Sequence, residues 1–362
     1  MEDEVALSEE SAFMSHGSSR RSMLRGVGLA SAAAGMAGLA ACSKTNNGGG
    51  SGGHGSFPST PKWKFVFVNH VTTNPFFQAT QYGIQDACDL LGVTFQWTGS
   101  ETSDVSQMVG AMNTAITSGA DGIAVALVDQ NAFNGPTQQA LSKKIPVVSY
   151  NADVATNARL AYIGQDLFAA GEAMGKRIAT LFPNGGDIAI FIATPGSLNI
   201  QPRADGAVAA LKASGKSFNV KQVATGADVN PEQTAIDAFT QGNKSVKGLF
   251  AVDAGSTQGI ANVMRKYSLQ NQGYHGGGFD LLVPTEQAIA DGILDFTIDQ
   301  SAYLQGFLPV LHLYLYKLSG TLVSPPETNT GLKFVTKDLV TPYLKTQNRF
   351  EGSSPKQQYL HT

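Results

Sequence analysis

The stretch 63–77, Trp-Lys-Phe-Val-Phe-Val-Asn-His-Val-Thr-Thr-Asn-Pro-Phe-Phe, decides the fold. Residues 63–69 form an apolar run of strand length. From Phe77 onward, Ile84, Cys88 and Leu91 continue at helical spacing. Asn74 therefore stands where a strand has ended and a helix begins. Asn is a favoured N-cap, and Pro is favoured at the first helical position. Phe76 and Phe77 then project from the first helical turn, at the end of the strand where open α/β sheets bind ligands. Taken alone, the stretch fits two readings: a capped helix whose rings join the core, or a binding loop with an aromatic wall.

Downstream the same alternation recurs. Apolar strand-like runs fall at 93–97, 122–128 and 145–150, with helical spacing between them at Val105, Met108, Val109, Met112 and Ile116. A second cycle begins with a helix carrying Leu167, Ala170, Met174, Ile178 and Leu181. Strands follow at 187–193, 218–223, 247–252, 276–280 and 294–300, separated by helices, and a long helix spans 303–318. Strands alternating with helices predict parallel sheets with right-handed crossovers. A chain of 362 residues exceeds one comfortable core, so two doubly wound lobes are expected.

Upstream, the chain is not fold. Ser19-Arg20-Arg21-Ser22-Met23-Leu24 resembles a twin-arginine export signal, although paired arginines also fit the general export route. The small-residue run 26–41 is too short and too weakly apolar to span a membrane. It ends in Leu39-Ala40-Ala41-Cys42-Ser43, which resembles a lipobox, so Cys42 is expected to carry lipid and become the first mature residue. Residues 42–61 read as a flexible Gly/Ser tether. Cys88 is then the only other cysteine, on the apolar face of the first helix, and no internal disulfide is expected. Net charge is −3 without runs of like charge, which gives no footprint for nucleic acid.

Polar residues recur where strands give way to helices: Asn151, Asp253, Asp280 and Gln300, with Arg203 at a helix start. Each alone reads as a cap or turn residue. Together they offer bidentate acceptors, a forked donor and mixed amides. With two aromatic rings, that is the chemistry for a small neutral polyhydroxylated ligand, whose hydroxyls need paired donors and acceptors and whose C–H faces pack on rings. His70, four residues before Asn74, is the histidine expected to border the same cleft.

On these motifs, residues 62–345 resemble the sugar-binding proteins of ATP-binding-cassette importers, of the ribose/galactose type. Asn74-Pro75-Phe76-Phe77 matches the first binding loop of that family. Gln201-Pro202-Arg203-Ala204-Asp205-Gly206 is similar to its Arg-x-x-Gly helix start, and Gly278-Phe279-Asp280 and Thr297-Ile298-Asp299-Gln300 match closely. The chain departs from the family in three places. An Asp-Arg pair is replaced by Asn151-Ala152, an Asn by Asp253, and the second-lobe aromatic by Val229. The resemblance implies a type I periplasmic binding fold with a three-strand hinge. The lobes expected are 62–164 plus 301–330 and 165–300 plus 331–345, followed by a tail at 346–362. It implies a monomer that captures a monosaccharide or polyol for permease subunits outside the cytoplasm, held at the membrane through Cys42.

Rival readings lack their motifs. Gly171-Glu-Ala-Met-Gly175-Lys176-Arg177 has the wrong spacing for a phosphate loop, and Gly276 to Gly278 lacks a dinucleotide fingerprint. No His-Glu-x-x-His, Cys-x-x-Cys or Gly-x-Ser-x-Gly occurs, so no cofactor, metal or catalytic residue is expected. An exported sugar-modifying oxidoreductase is therefore disfavoured. A ligand-sensing partner of a chemoreceptor or sensor kinase is the alternative.

Overall fold

The computed structural model describes residues 58–346 and 348–356. The export signal, Cys42 and most of the tether lie outside the described residues.

The run that opened the reading becomes β1 (Lys64–Asn69), with five of its six residues buried. It lies between β2 (Thr94–Gly99) and β3 (Gly122–Val125), parallel to both. With β4 (Val147–Tyr150), β5 (Tyr162–Gly164) and β11 (Glu327–Asn329), these strands form a parallel sheet in the order β11-β5-β4-β3-β1-β2. A second sheet has the order β12-β10-β9-β8-β6-β7. Its strands are β6 (Gly186–Ile192), β7 (Phe218–Ala224), β8 (Gly248–Ala251), β9 (His275–Phe279), β10 (Phe296–Asp299) and β12 (Lys333–Val335). Inner strands are mostly apolar and largely buried, as expected where helices cover both faces. The edge strands β2 and β7 alternate exposed and half-buried residues.

Helices α1 (Phe77–Leu91), α2 (Val105–Thr117) and α3 (Asn134–Ser142) serve the first sheet. Helices α4 (Leu167–Leu181), α5 (Gln201–Ala213), α6 (Val229–Gly242), α7 (Ala254–Tyr267) and α8 (Val283–Ala290) serve the second. Then α9 (Leu304–Ser319) returns to the first sheet and packs on α1, while α10 (Thr341–Thr346) packs on α8. The chain thus passes between the sheets between β5 and α4, between β10 and α9, and between β11 and β12.

Two features were not read from the sequence. Strands β5, β11 and β12 have three residues each, too short for a periodicity signal, and β12 pairs antiparallel with β10. The final segment is not a bare tail. Arg349 pairs with Asp86 at 2.8 Å and lies over Tyr82, and Phe350 packs edge-on against Tyr303. In both sheets the strand order reverses beside the first strand, at β1/β3 and at β6/β8. Crevices open at such switch points, and the loops after β1, β6 and β8 stand at them.

Candidate ligand-binding site

All nine residues singled out for a ligand line one cavity between the sheets: His70, Asn74, Phe76, Phe77, Asn151, Arg203, Asp253, Asp280 and Gln300. Val229 does not line it. That side of the cavity is formed by Ala227 and Glu232 instead, so the lost aromatic is not replaced by Val229. Val229 opens α6 and is only half-buried.

The aromatic wall differs in detail from expectation. The α-helix begins at Phe77, and Asn74 caps the turn ahead of it by accepting the Phe76 N–H at 3.0 Å. That leaves its amide nitrogen for a ligand. Phe77 is buried against Trp97 and the His70 ring, so it serves core and cavity together. Phe76 is half-buried and meets Phe77 edge-on at 4.8 Å.

Arg203 sits in the first turn of α5. Close approach of α4 and α5 seats it there, and Gly206 permits that approach, because a Cβ at Gly206 would strike the Phe168 carbonyl oxygen. The guanidinium donates to the Val252 carbonyl and to Gln165 Oε1, both at 3.1 Å, and lies 4.2 Å over the Phe279 ring. Asp280 accepts from Gln300 Nε2 at 2.6 Å. Burial pushes its carboxyl up to about 7, against the opposing pull of Arg203 and Gln300. Asp253 is more structural than expected. Its two oxygens accept backbone N–H groups of Ser256 and Ala193, capping α7 and tying β8 to β6.

Asn151 and Asp280 follow equivalent inner strands of the two sheets, and both hold left-handed backbone, at φ 63° and 77°. Such strain is sparse in non-glycine residues and concentrates at functional positions. Asn151 donates to Gln305 Oε1 at 3.1 Å, and Gln305 donates to Gln300 Oε1 at 3.0 Å. A buried amide chain therefore runs from Asn151 through Gln305 and Gln300 to Asp280, across the crossover strands.

On the far side, His70 Nε2 lies 3.0 Å from Asn199 Nδ2, a contact between the two lobes. Asn199 Oδ1 accepts the Ser197 hydroxyl at 2.6 Å, so Nδ2 faces the ring as a donor. His70 Nε2 is then the acceptor, and the proton rests on Nδ1. Burial holds the ring neutral by lowering its pKa to about 4.

Four cavity residues keep a buried polar atom without a protein partner: His70 Nδ1, Asn151 Oδ1, Arg203 Nε and Glu232 Oε2. Each orphan costs about 1–3 kcal/mol of desolvation. Their gathering around one space marks a site that awaits donors and acceptors from outside. The cavity has a volume of about 50 Å³. At roughly 10–15 Å³ for each ordered water, that is room for one small ring and not for an oligosaccharide.

Residues 65–320 match the periplasmic binding protein domain family. The chain belongs to this family. It is 52% identical over 311 residues to the xylose/arabinose-binding protein XylF of Sulfolobus acidocaldarius, covering 82% of this chain and 76% of that protein. An ABC transporter solute binding protein from Burkholderia graminis, solved in complex with D-arabinose, superposes with a TM-score of 0.74. It is 24% identical, and the match covers 79% of this chain and 99% of that one. Another from Agrobacterium vitis, with bound D-fucose, gives a TM-score of 0.72 at 22% identity, covering 77% and 97%. These two similarities show the periplasmic binding protein fold, with two α/β lobes on parallel sheets.

Within that fold Asn199 and Glu232 also line the cavity, while Gln165 and Gln305 hold its lining residues Arg203, Asn151 and Gln300 in place; the sequence singled out none of the four. Gln305 and Glu232 sit on helices, where an isolated polar residue reads as solvated surface. Only the partner elements bury them. Among the described residues no group of three or more His, Cys, Asp or Glu side chains is placed to hold a metal ion.

Proposed function

We propose that this protein is the extracytoplasmic solute-binding component of an ABC importer, which captures a monosaccharide or polyol between its lobes and delivers it to permease subunits. The carrying observation is that four residues lining one ring-sized cavity beside Phe76 and Phe77 each keep a buried polar atom without a protein partner. Polyhydroxylated rings supply hydroxyls for the orphans and C–H faces for the rings. The identity to a xylose/arabinose-binding protein makes an aldopentose the first candidate. Binding without catalysis is the matching reading, since the family and this relative are binding proteins. The three crossings support lobes of 62–164 plus 301–330 and 165–300 plus 331–345, and we propose that the protein acts as a monomer.

A melting panel tests the reading, because a ligand that binds only the folded state stabilises it by mass action, by about 2.7 kcal/mol at a hundredfold excess over Kd. D-Xylose or L-arabinose is expected to raise the Tm clearly, and sucrose not at all. If no monosaccharide or polyol shifts the Tm of the folded protein, the proposal is wrong.

We also propose that lipid on Cys42 anchors the protein at the outer face of the membrane, after export on the twin-arginine signal. Cys42→Ser is expected to move the protein from the membrane fraction to the soluble one. Retention in the membrane would sink the lipid assignment.

A further inference from the structure

Glu232 stands apart from the residues that the family motifs point to. It lies in the first turn of α6, on the second-lobe side of the cavity, and is 1% exposed. Acidic side chains are almost never buried to that degree without a partner. Yet Glu232 Oε2 has none within the protein.

Its position is built. The carboxyl rests against Gly255, in the first turn of α7, and a Cβ at Gly255 would occupy the place of Oε2. Asp253 caps the same turn, so two carboxyl groups share this corner. They are not equivalent. Burial raises the Asp253 carboxyl too, but against it work the backbone N–H groups of Ser256 and Ala193 and the charge of Arg203, which favour the ionised form. Glu232 has burial and the neighbouring Asp253 and Asp228 against its charge, and chiefly Ser256 in its favour. Burial and the neighbouring Asp253 push the Glu232 carboxyl up to about 9, which favours its neutral form. A neutral carboxyl offers one donor and one acceptor, the pair of functions that a sugar hydroxyl needs from its partner.

We propose that Glu232 is a specificity-determining ligand contact, whose carboxyl reads one hydroxyl of the bound sugar from the second-lobe wall. The inference rests on the sugar-binding reading above and adds to it a residue and a role. A site built to hydrogen-bond a hydroxyl rejects analogues lacking it, because its own polar groups are then left unpaired.

The test uses calorimetry with D-xylose, L-arabinose and their monodeoxy analogues, on wild type, Glu232→Met and Glu232→Gln. Met fills nearly the same volume and removes a buried unpartnered carboxyl, so the fold is expected to survive. Glu232→Met should weaken binding of the parent sugar by about tenfold or more. Gln keeps a donor and an acceptor on the same skeleton and should recover most of that loss. One deoxy analogue should bind wild type poorly yet bind Glu232→Met no worse than the parent sugar does. That coupling names the hydroxyl being read, and a purely structural role would not produce it. If wild type binds the parent sugar and Glu232→Met binds it within about twofold, the inference is overturned. Equal deoxy penalties in wild type and variant at every position overturn it too. If wild type binds none of these sugars while a melting panel finds another ligand class, the sugar reading itself fails, which is a distinct result.

Discussion

Asp280→Ala and Arg203→Ala each weaken sugar binding by about ten- to a hundredfold or more at neutral pH, while exposed Lys143→Ala leaves it unchanged. The expectation follows from burial. Arg203 is 2% exposed and Asp280 4%, so anything bonded to them is bonded in a dry site. Hydrogen bonds to charged groups are worth roughly 1.5–3 kcal/mol, and truncating one partner leaves the other buried and unpaired. The two substitutions differ in their side effects. Arg203→Ala also orphans Gln165 Oε1 and the Val252 carbonyl and uncovers the Phe279 ring, so some loss of stability accompanies the loss of binding. Asp280→Ala removes the acceptor of Gln300 Nε2 and the charge that opposes Arg203, but leaves the bond from Gln305 to Gln300 Oε1 in place, and is the cleaner probe. Lys216 reads from sequence as an idle residue on a polar turn, but its ammonium donates to the Ala179 carbonyl at 2.6 Å and it makes a poor control. Calorimetry with circular dichroism decides the matter. If both variants are folded and bind like Lys143→Ala, the ligand does not meet this part of the cavity.

The difference between Lys216 and Arg203 shows what was legible in the sequence. Arg203 is marked by its local context, a helix start with Gly206 one turn on, and such local patterns carried the strand–helix alternation and most of the cavity. Asn74, Asn151, Asp280 and Gln300 were visible for the same reason, each standing at the end of an apolar run. Glu232, Gln305 and Asn199 were not. Their burial comes from α7, from the crossover strands and from the opposing lobe, partners distant in sequence. Val229 failed for a related reason. Locating a cavity-facing residue near a helix start needs the helix register, which the strand before it does not fix. The strands β5, β11 and β12 are held by pairing alone, so composition gives no sign of them.

Asp280→Asn should make the ligand-free protein more stable at pH 8 and no more stable at pH 4. The folded protein pushes the Asp280 carboxyl up to about 7, chiefly through burial, from an ordinary value near 3.8. A raised carboxyl means that folding favours the protonated form. The side chain is therefore well tolerated below about pH 4, and its contribution to stability is lost as pH rises through 7. The full penalty above pH 7 is at most about 4 kcal/mol, and half of that is a fair expectation once Arg203 and local relaxation are allowed for. Asn keeps the shape and can still accept from Gln300, without the charge. At roughly 1.5 °C per kcal/mol for a folded body of this size, the variant should gain about 3 °C in Tm at pH 8. Other buried acids, including Glu232, titrate in both proteins, so the difference between the two melting curves isolates position 280. The same substitution should weaken sugar binding, because the anion that opposes Arg203 is gone. A site that costs stability when empty and repays it on binding is the usual trade between stability and function. Equal Tm differences at pH 4 and pH 8, or an Asn variant less stable at pH 8, would mean that Asp280 is ionised comfortably in the empty cavity and that its burial is offset by groups other than the ligand.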